Sequence, residues 1–139
     1  MNYPRIALAA VAATFVFFVY GFLVEGMLIR KEFAPSAAIY RTSDLQMKYM
    51  PLGIASFLVA LFAAGILYAR WCGGESGVLT GLQFGLLMGV FTACTHSLSN
   101  LVTMNIHLKL GLETTASMFF GWLLAGMTIG LVYKPLAMR

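Results

Sequence analysis

The sequence predicts an all-α membrane protein: a four-transmembrane-helix bundle in up-down-up-down order, a single integral membrane domain with no extramembrane domain. Three features carry that prediction. The chain has 139 residues, of which 60% are hydrophobic and 10% charged, against roughly 25% charged in soluble domains. Its mean hydropathy is +0.86, and a chain this short cannot hide so much apolar surface in one water-soluble core, because small domains leave much of their surface exposed. Finally, the apolar residues fall into solid runs, each near the ~20 residues that a helix needs to cross ~30 Å of hydrocarbon. A membrane barrel would instead alternate over shorter segments. These features exclude a soluble enzyme, a nucleic-acid-binding domain and a disulfide-stapled secreted module.

Helices are expected over about 6–29, 52–69, 78–97 and 114–133. The first follows a short basic start at Arg5, as a signal peptide would. Its apolar run continues through Phe22, Leu23 and Val24, past a usual signal h-region, so it reads as a retained span. The second has two readings at its start. Ser43 with Gln46 makes a capping-box pattern that begins the helix near 44, with Pro51 inside it; alternatively Pro51 is the first helical residue. Cys72-Gly73-Gly74 is a stop signal for that helix. The third extends beyond 97 if the polar stretch after it is helical, and the fourth stops before Lys134-Pro135. The long first loop, about 30–50, has room for an interfacial helical turn around 37–40. Phe15, Phe18 and Phe22 form a helical stripe suited to packing or lipid contact. Tyr68, Trp71 and Tyr133 sit at segment ends, where aromatic residues anchor to headgroups. Cys72 and Cys94 fall at different expected depths, so no disulfide joins them.

The nine Lys/Arg against five Asp/Glu give a net charge of +4. Nearly all the basic residues flank apolar runs, which is interfacial anchoring. Arg30, Lys31, Arg41, Lys48 and Lys109 fall on one side, with Arg5, Arg70, Lys134 and Arg139 on the other. The cluster of Arg30, Lys31, Arg41 and Lys48 places the first loop in the cytoplasm and both termini outside.

Small residues dominate the third helix. Gly77, Gly81, Gly85, Gly89, Ala93 and Ser97 recur every four residues, and Gly126 and Gly130 repeat that spacing in the fourth. Lipid supplies no hydrophobic drive between helices, so small residues serve close backbone approach and dispersion contact. Ser56, Ala60 and Ala64 offer a further shallow face on the second helix. Two readings follow: packing inside the bundle, or a seam for another subunit, a pigment or a lipid.

Three polar residues are candidate sites. Thr92, His96 and Asn100 are four apart and share one face of a regular helix. A neutral His96 could ligate haem or a chlorophyll magnesium, relay protons, or simply hydrogen-bond a neighbour. His107, eleven residues on, shares that face only if one helix runs through both. Glu25 is the one acid inside an apolar run, and intramembrane acids are costly and commonly functional. It lies about 28 Å along the rise from Ile6, at headgroup level. It reads either as an ion pair or hydrogen bond beside Arg30 or Lys31, or as a proton or cation site. Four short helices with an acid in the first resemble the small multidrug-resistance exporters in outline, but those place the acid near the middle of the span.

Gly81-Leu-Gln-Phe-Gly85-Leu-Leu-Met-Gly89 and Gly121-Trp-Leu-Leu-Ala-Gly126-Met-Thr-Ile-Gly130-Leu-Val-Tyr-Lys-Pro135 resemble a widespread group of small bacterial four-helix membrane proteins with a domain of unknown function. The resemblance covers about the last sixty residues. It implies the four-helix architecture and a bacterial origin, and it transfers no activity.

Nucleophile–base pairs, Cys-x-x-Cys motifs, phosphate loops and zinc-ligand spacings are missing from the sequence. The leading expectation is a non-catalytic accessory or scaffolding subunit that packs against a larger membrane complex, respiratory or photosynthetic, in the bacterial inner membrane. Its partners would be other membrane subunits and structural lipid, with homo-oligomers as a further form and nucleic acid excluded. Two alternatives come from other classes: a small oligomeric transporter or channel using Glu25 or the His96/Asn100 region, and a chlorophyll- or haem-binding protein with His96 as axial ligand.

Overall fold

The computed structural model describes residues 1–135; Arg139, counted above among the terminal basic residues, lies outside them. The described residues are mostly helical, with no strand among them. Four helices are long and apolar enough to cross a membrane: α1 (Tyr3–Leu28), α2 (Ser43–Trp71), α3 (Val78–Thr103) and α4 (Leu108–Val132). The chain is therefore a multi-pass membrane protein by the length and composition of its helices.

The ends of these helices follow local chemistry. α1 starts three residues before the expected boundary, because Asn2 caps it: its side chain accepts the Arg5 N–H at 3.3 Å, and Pro4 sits in the first turn, where no N–H is needed. α2 starts at Ser43, with Pro51 inside the helix. The capping box is not formed. Thr42 is the N-cap with no side-chain cap bond, and Gln46 turns back to donate to the Arg41 carbonyl at 2.7 Å. The stop after Trp71 is as expected, since Gly73 and Gly74 take φ of 59° and 97°, conformations costly for residues with a Cβ. α4 starts at Leu108, one and a half turns before the expected boundary. Between α1 and α2, a 3-10 helix spans Arg30–Ile39, longer than the single turn expected there.

Both α1 and α3 contain a π-turn, at Val24–Leu28 and Ala93–Ser97. Each widens the helix locally and shifts the register of everything beyond it. After its π-turn α3 continues to Thr103 and stops, with Met104 extended, before α4 begins. His96 and His107 therefore do not lie on one helix, and the shared face expected for them is broken.

α4 is central. It packs most extensively on α3, and on α1 along much of its length, whereas α2 lies mainly against α1. The shallow face expected on α2 does not meet α3: Ser56 and Ala60 are exposed, and Ala64 is buried in the core around α1. Gly65 beside it receives the Ile6 side chain, near the start of α1. The core joins Ile6, Ala9, Ala13 and Phe17 of α1 to Leu61 and Tyr68 of α2 and to Trp122, Ala125 and Ile129 of α4. Small side chains in α1 let the helices approach closely, which stands in for hydrophobic drive in lipid. Outward-facing apolar residues such as Phe15, Phe22, Leu52 and Val59 remain exposed, as lipid contact requires.

Most threonines inside the spans turn their hydroxyls onto their own helix. Thr14, Thr92, Thr95, Thr114 and Thr128 each donate to the carbonyl four residues earlier, at 2.6–2.9 Å. Much of the polar stretch after Phe91 is thus internally satisfied.

Two residues expected as headgroup anchors are core residues instead. Tyr68 and Tyr133 are 0% and 2% exposed, whereas Trp71 stays at the surface. They stack edge to face with centroids 5.9 Å apart, and Phe84 meets Tyr68 at 5.4 Å. The Tyr68 hydroxyl can be buried because it has partners: the Gly77 N–H donates to it at 3.4 Å, and Ser76 Oγ lies 3.3 Å away. Ser76 Oγ in turn reaches the Tyr133 carbonyl at 2.7 Å and the Gly130 carbonyl at 3.0 Å. These are C-terminal carbonyls of α4, which have no partner within the helix.

Candidate functional site

The glycine stripe is occupied within the chain. A Cβ on Gly81 would collide with the Gly126 carbonyl oxygen, one on Gly85 would lie 2.6 Å from the Trp122 carbonyl, and one on Gly130 would collide with the Gly77 carbonyl. Gly89 faces the ring of Phe119. Backbone therefore touches backbone along α3 and α4, and among the described residues α4 fills the face that a pigment or a second subunit would need. The stripe is not uniform. Gly77, the N-cap of α3, has open space where its Cβ would be, while Ala93 and Ser97 are buried in the π-turn.

His96 lies in that π-turn, exposed, with Nε2 at 3.3 Å from the Asn100 side-chain nitrogen. With Asn100 as donor, the lone pair that would ligate a metal is engaged and the proton sits on Nδ1. No second histidine faces it, and the described residues hold no group of three or more His, Cys, Asp or Glu able to bind a metal ion. Cys72 and Cys94 are free thiols, one buried and one exposed.

Glu25 has a different setting. It sits in the π-turn of α1, partly buried, and Ser117 Oγ of α4 donates to its Oε1 at 3.1 Å. Of the anchoring contacts expected, an ion pair or a hydrogen bond, the ion pair with Arg30 or Lys31 is not formed and the hydrogen bond goes to Ser117; among the described residues no cation lies within 4.0 Å of its carboxylate. Tyr20 lies beside the same serine. On α4, Glu113 sits one turn before Ser117, its Oε2 buried without a hydrogen-bond partner among the described residues.

Glu25 also lines an open cavity of about 910 Å³ at this end of the molecule, with Arg30, Phe33, Tyr40, Arg41 and Gln46. Its outer wall is the 3-10 helix, which Lys109 of α4 holds through an ion pair with Glu32; Lys109 also approaches Glu113 at 3.8 Å. Phe33 and Tyr40 stack edge to face at 5.3 Å. Burial, and secondarily the nearby Glu25 carboxylate, push the Tyr40 phenol above its ordinary range. Arg41 rests its guanidinium over the Tyr49 ring at 4.1 Å.

Sequence reasoning found Glu25 but missed the cavity, Ser117 and Tyr40. The available signal was a serine on a helix otherwise rich in packing residues, but nothing in its spacing pointed to α1. Comparison with protein-family models, curated proteins and solved structures gives no match to this chain, so its function is argued from its own residues.

Proposed function

We propose that the chain is a small transporter or channel of the bacterial inner membrane, with Glu25 as the group that takes up and releases a proton or an ammonium-type cation. The observation that carries this reading is the carboxylate's setting: a serine donor on a neighbouring helix, no cation within 4.0 Å among the described residues, and an opening into a cavity large enough for a ligand. An acid at the edge of an apolar run that is held by a serine hydroxyl and has no cation as fixed partner is a group suited to ion and proton pathways. The contacts also support up-down-up-down order. Ile6 near the start of α1 meets Gly65 near the end of α2, and Gly81 early in α3 meets Gly126 late in α4. With the basic first loop in the cytoplasm, Glu25 and its cavity open to that side.

The test is proton movement in vesicles of phosphatidylethanolamine and phosphatidylglycerol, driven by a pH step and read with a trapped pH dye. The parent chain is expected to exceed empty vesicles, and Glu25→Gln to fall back to their rate. An inactive parent, or a variant as active as the parent, removes the reading.

A second reading, the accessory subunit, is favoured by one observation. α2 is covered mainly on the side of α1, with Leu52 and Val59 68% and 69% exposed on the remainder. That bare helix would be the docking face on a larger membrane complex. Migration of the native protein alone, without partners, removes it.

A further inference from the structure

From the charges and apolar surfaces that share the Glu25 cavity, we propose that its ligand is a zwitterionic phosphoethanolamine group, carried on a lipid, with the ammonium at Glu25 and the phosphate at Arg30 and Arg41. This rests on the reading of Glu25 as the functional carboxylate and names the chemistry it receives. The cavity holds one carboxylate and two guanidinium groups, yet neither arginine pairs with the acid. Opposite charges that share a cavity without neutralising each other suit a ligand that carries both signs. An ammonium alone would leave the two guanidinium groups without a counter-charge, and a phosphate alone would leave Glu25 without one. A primary ammonium donates to a carboxylate, and a phosphate accepts paired bonds from guanidinium groups; both are stronger than neutral hydrogen bonds.

The location selects the lipid source. Glu25 stands where the apolar run of α1 gives way to the basic loop, the depth of a headgroup. Much of the rest of the wall is apolar: Phe33, Ala34 and Ala37 come from the 3-10 helix that flanks the opening. A soluble phosphoethanolamine would gain nothing from that surface, whereas the glycerol and upper acyl chain of a phospholipid would bury against it. At about 910 Å³ the cavity takes a headgroup and part of the chains.

Native mass spectrometry of the detergent-purified full chain, titrated with phosphatidylethanolamine, phosphatidylglycerol or free phosphoethanolamine, tests this. Phosphatidylethanolamine is expected to bind most tightly. Glu25→Gln should weaken it about tenfold while leaving phosphatidylglycerol unchanged, because only the ammonium contact is lost. The double variant Arg30→Gln/Arg41→Gln, in the exposed loop, should weaken both lipids. If Glu25→Gln yields no folded protein, the arginine variant decides alone: unchanged phosphatidylethanolamine binding overturns the proposal. Equal retention of the two lipids also overturns it, as does free phosphoethanolamine binding as tightly as the lipid. Loss of proton movement in Glu25→Gln with lipid binding unaltered overturns the ligand assignment alone. If neither changes, the reading of Glu25 falls with it.

Discussion

The two halves of α4 meet the rest of the chain in opposite ways. The C-terminal half is closed. Gly126 and Gly130 press their backbone against Gly77, Gly81 and Gly85, and Ser76 fastens the last carbonyls while Tyr68 holds the serine. The N-terminal half is open. Ser117 reaches across to Glu25, Glu113 keeps an oxygen with no hydrogen-bond partner among the described residues, and Lys109 holds a 3-10 helix over a cavity. The difference lies in residue size and polarity. Glycine on both partners lets backbone meet backbone at Gly77, Gly81, Gly85, Gly126 and Gly130 and leaves no room there for a ligand, whereas the other half brings polar side chains from α4 to the edge of a cavity. Rigidity at one end provides a fixed frame for chemistry at the other.

The closed half should break most sharply. Gly126→Ala would place its Cβ 2.5 Å from the Gly85 Cα and in collision with the Gly81 carbonyl. Backbone cannot move aside as a side chain tip can, so the helices must separate. A loss of about 3 kcal/mol is expected, the upper part of the overpacking range, measured by unfolding in detergent. Gly53→Ala on α2 is the control. Nothing lies within 4 Å of the added Cβ, and stability should stay level or rise slightly. Equal behaviour of the two variants would show that the seam is not closed. Next in size is Tyr68→Phe. It removes the hydroxyl to which the Gly77 N–H donates and that lies beside Ser76 Oγ, and should cost about 1–2 kcal/mol in the same unfolding measurement. A smaller loss than in a surface Tyr→Phe variant would remove the staple from the account.

The two halves were unequally legible in the sequence. The spans could be read because lipid demands solid apolar runs, and Gly81, Gly85, Gly126 and Gly130 could be read as contact residues because four-residue spacing of small side chains has one physical use in a membrane. What those glycines touch could not be read, since spacing says nothing of the partner. Tyr68 and Tyr133 were misplaced for a related reason. A tyrosine at a span end suits the headgroup region unless a partner is brought to its hydroxyl, and Ser76 and Gly77 arrive there only through the turn at Gly73 and Gly74. At the open end the difficulty was register. The π-turns at Val24–Leu28 and Ala93–Ser97 break 3.6-residue periodicity at the two places where candidates sit. Glu25 bonds Ser117 and shares a cavity with the basic loop without pairing to it, and the helix carrying His96 ends before His107.

The open half yields smaller effects. Tyr40 should ionise above the ordinary range of tyrosine, with burial as the larger cause and Glu25 as the smaller. The native state then holds the proton at a pH where the unfolded chain has released it. Stability contributed by neutral Tyr40 is present below the ordinary tyrosine pKa and declines as pH rises from there toward the native value. Phenolate absorbance, with Tyr40→Phe as the difference, should show the raised midpoint, and Glu25→Gln should bring it part of the way down. An ordinary midpoint would separate Tyr40 from the carboxylate and weaken the view of this end as one coupled cavity.

The least disruptive change concerns the wall of that cavity. A 3-10 helix has poorer hydrogen-bond geometry than an α-helix, and Pro35 removes one more donor from Arg30–Ile39. The segment's attachment to α4 through Lys109 and Glu32 therefore bears more of its ordering than a surface ion pair usually does. Lys109→Gln should leave the unfolding midpoint where it is, because exposed pairs contribute little to global stability and the glycine seam is untouched. Amide exchange over Arg30–Ile39 should nonetheless quicken, while exchange around Gly126 and Gly130 stays slow. Local opening without global loss is the behaviour of a weakly held unit on a rigid frame. If exchange in that segment is unchanged, its order comes from its own contacts, Phe33 against Tyr40 among them, and α4 does not govern access to Glu25. If instead exchange quickens at both ends together, the two halves are one cooperative unit and the contrast between them is only one of composition.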